Sequence, residues 1–394
     1  MWNDANSGAV SVKIRVHSGS AFDPQGKEGV MQLLADNIFP SESVKEFFTD
    51  DLGGSLEITT NHDYIQISAT GKSDEFITML ETLANAVSKP TIDKETTVKL
   101  RSARMEKLKE LEKNPVYVAD QAVAKRLLGT FPYGRPVTGT AESLQKIDFA
   151  DLIFAKDRFF TADNATIAVT GNFKPDLAFR AVRRYFGAWT KSDKRVPATF
   201  KQPDEPDTKA AIIESPFIKN AEIRYAMRGL ARNDNDFAAS NILTKIMQNR
   251  LLKEFTNDGQ INAFVRQNVN LLPGLITVGL SNFPFEVESQ LSEKPPKTHM
   301  IIFKNENLAA ILAHNKISAE EFEKAKNEVS EEMNQVNLAD IWLNVDTFRL
   351  VSPKEESQKI SNLTITDVQR VAERLMKQPT ATIIMVKSKG EKKI

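Results

Sequence analysis

Cysteine is absent from this 394-residue chain, which excludes disulfides, thiol catalysis and cysteine-based zinc sites. Histidine is scarce. The four present, His17, His62, His299 and His314, include no two spaced as a ligand pair. Net charge is also missing: 52 basic residues balance 52 acidic ones, so no global field favours nucleic acid or a charged membrane. No apolar run approaches the ~20 residues that a membrane span needs. No G-x-x-x-x-G-K motif follows Gly53 and Gly54, and no G-x-S-x-G nucleophile elbow occurs. No signal peptide is visible before the first strand, as would also hold had one been trimmed away. The compartment is read as periplasmic or secreted, with a leader already removed, ahead of cytoplasmic.

What is present is an ordinary globular composition, 41% hydrophobic. The length exceeds the roughly 250 to 300 residues at which single cores stop growing, so two domains are expected. Strand and helix signals alternate in two halves. AVSVKIRV, DYIQISAT and NATIAVTG read as strands of the first half, and a helix runs from near Lys174 to before Gly187. KAAIIES, AEIRYAM, FVRQNVN, LITVGLS and TATIIMV read as strands of the second, with helices containing FAASNILTKIM and NRLLKEF. The Lys-, Pro- and Asp-rich stretch 191–208 is the linker, which gives domains at 1–190 and 209–394. SQLSEKPPKTH is read as a loop, because Pro295 and Pro296 cannot continue a helix. The basic C-terminal run SKGEKKI reads as a solvated tail.

Two segments suggest an internal duplication. IDFADLIFAKDRFFTADNATIAV and LTITDVQRVAERLMKQPTATIIM place Asp151 and Asp367 fourteen positions before Ala165 and Ala381, each opening an Ala-Thr-Ile strand core. A chance helix-to-strand match of the same spacing is the alternative.

The segment GKEGVMQLLADNIF, Gly26 to Phe39, reads as an amphipathic helix with Val30, Leu33, Leu34 and Ile38 on one stripe. Gln32, Ala35 and Asp36 lie off that stripe, at the spacing where metallopeptidase helices carry two imidazoles and a carboxylate. With its surroundings, VHSGSAFDPQGKEGVMQLLADNIF resembles the opening of the insulinase and pitrilysin family of inverted zincins, in which a Gly-Ser pair, an acidic-Pro turn and a Gly introduce an H-x-x-E-H helix. Gly19, Ser20, Asp23, Pro24, Gly26, Gly29 and Phe39 fit that frame. The resemblance implies that Gln32 and Asp36 stand for the two metal-binding histidines and Ala35 for the water-activating glutamate. LGGSLEITTNHDYIQISATG resembles the Gly-Gly turn and the strand lining the family's substrate groove. In KNPVYVADQAVAKRLLGTFPYGRP, Phe131 stands for the histidine of H-P-Y-G. ISAEEFEKAKNEV and LTITDVQRVAERLM resemble late helices.

From the resemblance follow several expectations. The fold is α+β, two homologous domains, each an antiparallel sheet covered by helices, facing across a cleft. The third metal ligand falls near Glu106 or Lys107. Asp36 and Glu106 without imidazole would suit Mg²⁺ or Ca²⁺ weakly, and a solvated or locally hydrogen-bonded surface is the plainer reading. The family's substrate-holding Arg and Tyr have Arg266 and Phe264 as nearest candidates. Phe264 lacks the hydroxyl and is expected to face the core, with Arg266 its exposed neighbour. The expected function is a catalytically inactive homologue, the non-catalytic subunit of a heterodimeric zinc peptidase. It would bind no cofactor itself, with zinc held only by an active, zinc-bearing partner; a homodimer is the other assembly. Unfolded peptide would add as a strand along Gly54, Ser55, Leu56, Glu57, Ile58 and Thr59. An active enzyme with an unrecognised metal site and a purely structural subunit are the rivals. Because Gln32, Ala35 and Asp36 are read as sharing a non-core side, their joint replacement by His, Glu and His is expected to be tolerated.

Overall fold

The computed structural model describes residues 1–192, 196–255, 261–284, 312–313 and 316–388. The loop assigned to SQLSEKPPKTH lies outside them, as do His299, His314 and most of the basic tail.

The first sheet contains β1 (Trp2–Asn3), β2 (Ala9–Val16), β3 (Ser55–Thr60), β4 (Ile65–Lys72) and β5 (Ala165–Gly171), in the order β1-β5-β2-β4-β3. The second contains β6 (Ala211–Ser215), β7 (Ala221–Arg228), β8 (Asn262–Gln267), β9 (Leu275–Phe283) and β10 (Thr380–Lys387), in the order β6-β10-β7-β9-β8. Adding five to every label of the first order gives the second, so the two sheets share one topology. Neither sheet is wholly antiparallel. β1 runs parallel to β5 and β6 parallel to β10 at corresponding edges, while the other pairings are antiparallel.

Alternation sets the burial of β2, where Val10, Val12, Ile14 and Val16 are all buried. β7 is buried from Ala221 to Met227, the pattern of a strand covered on both faces. One face of the second sheet meets a core in which Ile223, Tyr225 and Met227 pack with Ile242, Leu243 and Ile246 of the helix Phe237–Phe255. That helix is continuous through FAASNILTKIM and NRLLKEF, which the sequence pattern had read as separate.

In order along the chain, the helices used below are α1 (Val30–Ile38), α2 (Lys94–Leu111), α3 (Pro115–Leu128), α4 (Phe149–Phe159), α5 (Phe237–Phe255), α6 (Ala319–Asn334), α7 (Leu338–Phe348) and α8 (Ile365–Met376). Two compact units emerge, interleaved along the chain: residues 1–108, 136–200 and 337–350 in one, 109–135, 201–336 and 351–394 in the other. This differs from the contiguous halves expected at 1–190 and 209–394. The reason is local: α3, from the first half of the sequence, packs on β7 and β10, and α7, from the second half, packs on β5.

Each of these helices covers a buried arginine on the central strand beneath it. Arg15 of β2 donates to Gln66, to Asn344 Oδ1 (2.8 Å) and to Thr347 Oγ1 (3.2 Å) of α7. Arg224 of β7 uses all five donors, on Asp120 of α3 (2.6 Å), Glu222 (2.8 Å), Ser281 and the carbonyls of Ile223 and Leu280. A desolvated guanidinium is tolerable only when so fully partnered.

The duplication is visible at Asp151 and Asp367. Both sit at the third position of capping boxes, begun by Asp148 on α4 and Thr364 on α8. The alanine match is out of register. Ala165 pairs with Val16, on the face away from Arg15, whereas Ala381 pairs with Ala226, on the face of Arg224. α8 is one residue longer than α4, which moves the second strand by one place and reverses its faces.

Candidate functional site

The helix in the metal-helix position is shorter than its sequence pattern suggested. Residues 24–28 form a turn closed by Lys27 N–H on Pro24 C=O (2.9 Å), and α1 begins after Gly29, whose φ of +104° is left-handed. The buried Asp23 accepts from the N–H groups of Gly29 (2.7 Å) and Met31 (2.8 Å). The acidic-Pro turn therefore caps α1 and complements the positive end of its dipole.

Ala35 is fully buried, not on a solvated side, because α1 is flanked by α4 and by β3 as well as carrying its own apolar stripe. Gln32 and Asp36 are partly exposed. Gln32 Nε2 donates to Asp36 Oδ1 (3.2 Å). The decisive neighbour comes from α2. Arg104 Nη2 reaches both carboxylate oxygens of Asp36 at 2.6 Å, and its Nε reaches Oδ2 at 3.1 Å. Arg104 and Asp36 are 15% and 24% exposed, so the pair is sheltered, and a fork of this geometry is among the stronger charge-assisted contacts.

α2 thus presents a cation to Asp36 where the sequence reading looked for Glu106. Glu106 is exposed on the same helix. Thr97, Arg101, Arg104 and Leu108 recur at helical spacing along its inner side, a periodicity that marks Arg104 as inward-facing without indicating which residue it meets.

These residues do not fit zinc. A catalytic zinc site takes three imidazole, carboxylate or thiolate ligands and leaves a place for water. Here the positions supply an amide, a methyl group and a carboxylate whose oxygens already accept from a guanidinium. Ala35 has no group to take a proton from water. Among the described residues, no cluster of three or more His, Asp or Glu side chains is arranged to hold a metal ion.

The other family-related positions are structural in their surroundings. Phe131 is buried, with its ring edge-on to Tyr133 at 5.3 Å and beneath the guanidinium of Arg228 at 4.7 Å. Tyr133 accepts at its hydroxyl from Leu272 N–H (3.1 Å). Phe264 lies on the sheet face opposite the helical core, which corrects the expectation that it points inward. Its ring lies across Gly279, its cross-strand partner, where a Cβ would stand 2.1 Å from it. The guanidinium groups of Arg266 (4.3 Å) and Arg224 (4.9 Å) stack on that ring. Arg266 is exposed and ion-pairs with Asp120 at 2.7 Å.

β3, which contains Ser55, Leu56, Glu57, Ile58 and Thr59, is the edge strand of the first sheet and, among the described residues, pairs only with β4. Gly54 precedes it where a Cβ would fall 2.0 Å from Thr70 C=O. Ser55, Glu57 and Thr59 are exposed and Leu56 is buried, so one row of side chains anchors the strand.

Two duplicated sheets and a helix with a vacated metal frame define a class, and sequence profiles agree with it. The profile described as insulinase (peptidase family M16) matches residues 1–141, and that of the peptidase M16 inactive domain matches residues 146–329. The chain belongs to the M16 family. It is 23% identical over 266 residues to the uncharacterized zinc protease YmxG of Bacillus subtilis (strain 168), a match covering 65% of this chain and 64% of that protein. The crystal structure of a peptidase M16 inactive domain from Pseudomonas fluorescens superposes with a TM-score of 0.84 at 19% identity, over 99% of this chain and 95% of that one. The periplasmic protease PqqL from Escherichia coli superposes at 0.73 and 14% identity, over 98% of this chain but 46% of its own.

Proposed function

We propose that this chain is a catalytically inactive M16 homologue that serves as the non-catalytic subunit of a zinc peptidase, the metal being carried by an active homologue. The observation that carries the reading is the Arg104–Asp36 fork, which puts a fixed positive charge where a metal would need open ligands. The match of an inactive-domain profile to residues 146–329 supports it. So does the likeness to less than half of a longer periplasmic protease, since one chain of this size then corresponds to part of a larger peptidase.

In this reading the subunit also binds unfolded peptide along the β3 edge. An edge strand offers a row of main-chain donors and acceptors that pairs with any extended peptide, whatever its sequence. A periplasmic or secreted setting remains part of the proposal.

The test is reconstitution. The purified chain alone is expected to bind no stoichiometric zinc and to leave an unfolded peptide uncleaved. Mixed with an intact H-x-x-E-H homologue, it is expected to co-elute and to raise chelator-sensitive cleavage. Stoichiometric zinc with cleavage by the chain alone overturns the reading. Co-elution without any peptide binding, alone or mixed, would leave a purely structural subunit in its place.

A further inference from the structure

The two sheets end in corresponding edge strands, β3 and β8, and the phase of their hydrogen bonds shows which main-chain groups face outward. In β3, Asn61 N–H donates to Tyr64 C=O at 3.0 Å, continuing the register with β4. Each residue of an antiparallel strand turns both main-chain groups the same way, and successive residues alternate. Leu56, Ile58 and Thr60 therefore turn theirs away from β4. In β8, Asn268 N–H donates to Leu275 C=O at 2.8 Å, continuing the register with β9. Ala263, Val265 and Gln267 are the outward residues there.

The two outward rows differ in what meets them. Among the described residues, nothing bonds to the main chain of Leu56, Ile58 or Thr60 on this side. On β8 the place is taken. Gln248 of α5 accepts from Val265 N–H through Oε1 and donates through Nε2 to Ala263 C=O at 3.2 Å. Those partners fix the orientation of the amide, since an N–H only donates and a carbonyl only accepts. A residue of a parallel neighbouring strand bonds to the same pair, the carbonyl before and the N–H after the residue it faces. The Gln248 amide thus stands where one residue of an added strand would stand, opposite Phe264.

Crowding does not close this edge. Asn241, Thr244, Lys245 and Gln248 recur at helical spacing on the side of α5 that lines a cleft of about 410 Å³, shared with Val265 and with Met333 of α6. Space beside the strand is present, and it is the hydrogen-bonding groups that are occupied. Displacing the amide would leave its own donor and acceptor half-buried and unpaired.

We propose that Gln248 is a specificity-determining residue: it closes the β8 edge to extended peptide, so that of the two corresponding edges β3 alone accepts one. The consequence for peptide selection rests on binding at β3 as proposed above, whereas the closure itself does not. Removing the amide converts β8 into a second acceptor, for extended backbone with small or branched apolar side chains on the row that enters the cleft.

Amide-resolved hydrogen exchange on the full chain tests this, with a capped alternating Thr-Val hexapeptide as the probe. In the parent, the probe is expected to leave Ala263, Val265 and Gln267 unchanged. In Gln248→Ala without peptide, Val265 N–H is expected to exchange at least about tenfold faster, having lost its acceptor. Added probe is then expected to slow Val265 and Gln267 saturably. Gln248→Asn, which keeps an amide but shortens its reach by one methylene, is expected to behave alike and decides the matter if the alanine variant does not fold. An unchanged Val265 rate in the folded variants, no slowing at β8 by about 1 mM probe, or equal slowing at β8 in parent and variants overturns the proposal. Leu56, Ile58 and Thr60 read β3 separately: no slowing there counts against peptide binding at β3, while Val265 still decides the closure.

Discussion

Restoring the family's motif on α1 is expected to fail, and the structure says where. Ala35 has no exposed surface. Extending its methyl group to a glutamate side chain overpacks a closed site, at about 1–3 kcal/mol. It also buries a carboxylate, which must either stay charged without a metal or take up a proton, adding further cost. Ala35→Glu alone should therefore lose about 3 kcal/mol, a large part of the roughly 5–15 kcal/mol that holds a domain folded. Urea unfolding followed by circular dichroism should show the midpoint falling by about 1 M or more, in the transition of the unit that contains β1 to β5. Gln32→His, at a partly exposed position, should be nearly silent. With Arg104 in place, the triple variant Gln32→His, Ala35→Glu, Asp36→His should take up no zinc, because a guanidinium occupies the approach. A stability change within about 0.5 kcal/mol for Ala35→Glu would refute the burial argument. Stoichiometric zinc in the triple variant would refute the role given to Arg104.

Two further outcomes are expected. Arg224→Met should cost about 3–5 kcal/mol by thermal or urea unfolding, since it leaves the buried Glu222 without its cation; a loss below 1 kcal/mol would contradict the network. Glu321 is held down to about 2 by hydrogen bonds from Arg250, with a further one from Ser318 N–H, against the opposing effect of burial. Its folded value is depressed, so its contribution is fully present above the ordinary value of 4.5 and is lost as pH falls from there to about 2. The group is about one-third exposed, so the effect is discounted to about 1 kcal/mol. Glu321→Gln should be less stable than the parent at pH 7 by that amount, with the gap closing toward pH 2; a gap constant in pH would rule this out.

Much of the fold was legible because its signals are local. Strand alternation placed β2 and β7 almost to the residue, and the repeated capping aspartates, Asp151 and Asp367, located equivalent helices. The one-residue slip between Ala165 and Ala381 escaped because letters match without regard to faces, and only the pairing partners reveal which way a strand points. The burial of Ala35 escaped for a related reason. A single apolar stripe describes a helix packed on one side, and α1 is packed on more than one. At the candidate site, the residue types at Gln32, Ala35 and Asp36, an amide, a methyl group and a carboxylate, were readable from the sequence. Their neighbour was not, because Arg104 lies 68 residues from Asp36 and nothing in the sequence joins them.

The linker at 191–208 separates halves of the sequence, but the burial of charge divides the molecule differently. Arg15 is 2% exposed and takes Asn344 and Thr347 as partners, residues encoded after the linker. Arg224 has no exposed surface and takes Asp120, encoded before it. Severed from those partners, each guanidinium would keep its sheet neighbours and lose the helix that shields it. The remaining donors would need water, which the covered face of a sheet excludes. The duplicated arginines thus bind the fate of each sheet to a helix from the other half, so that the unit which satisfies its own buried polar groups is discontinuous in sequence.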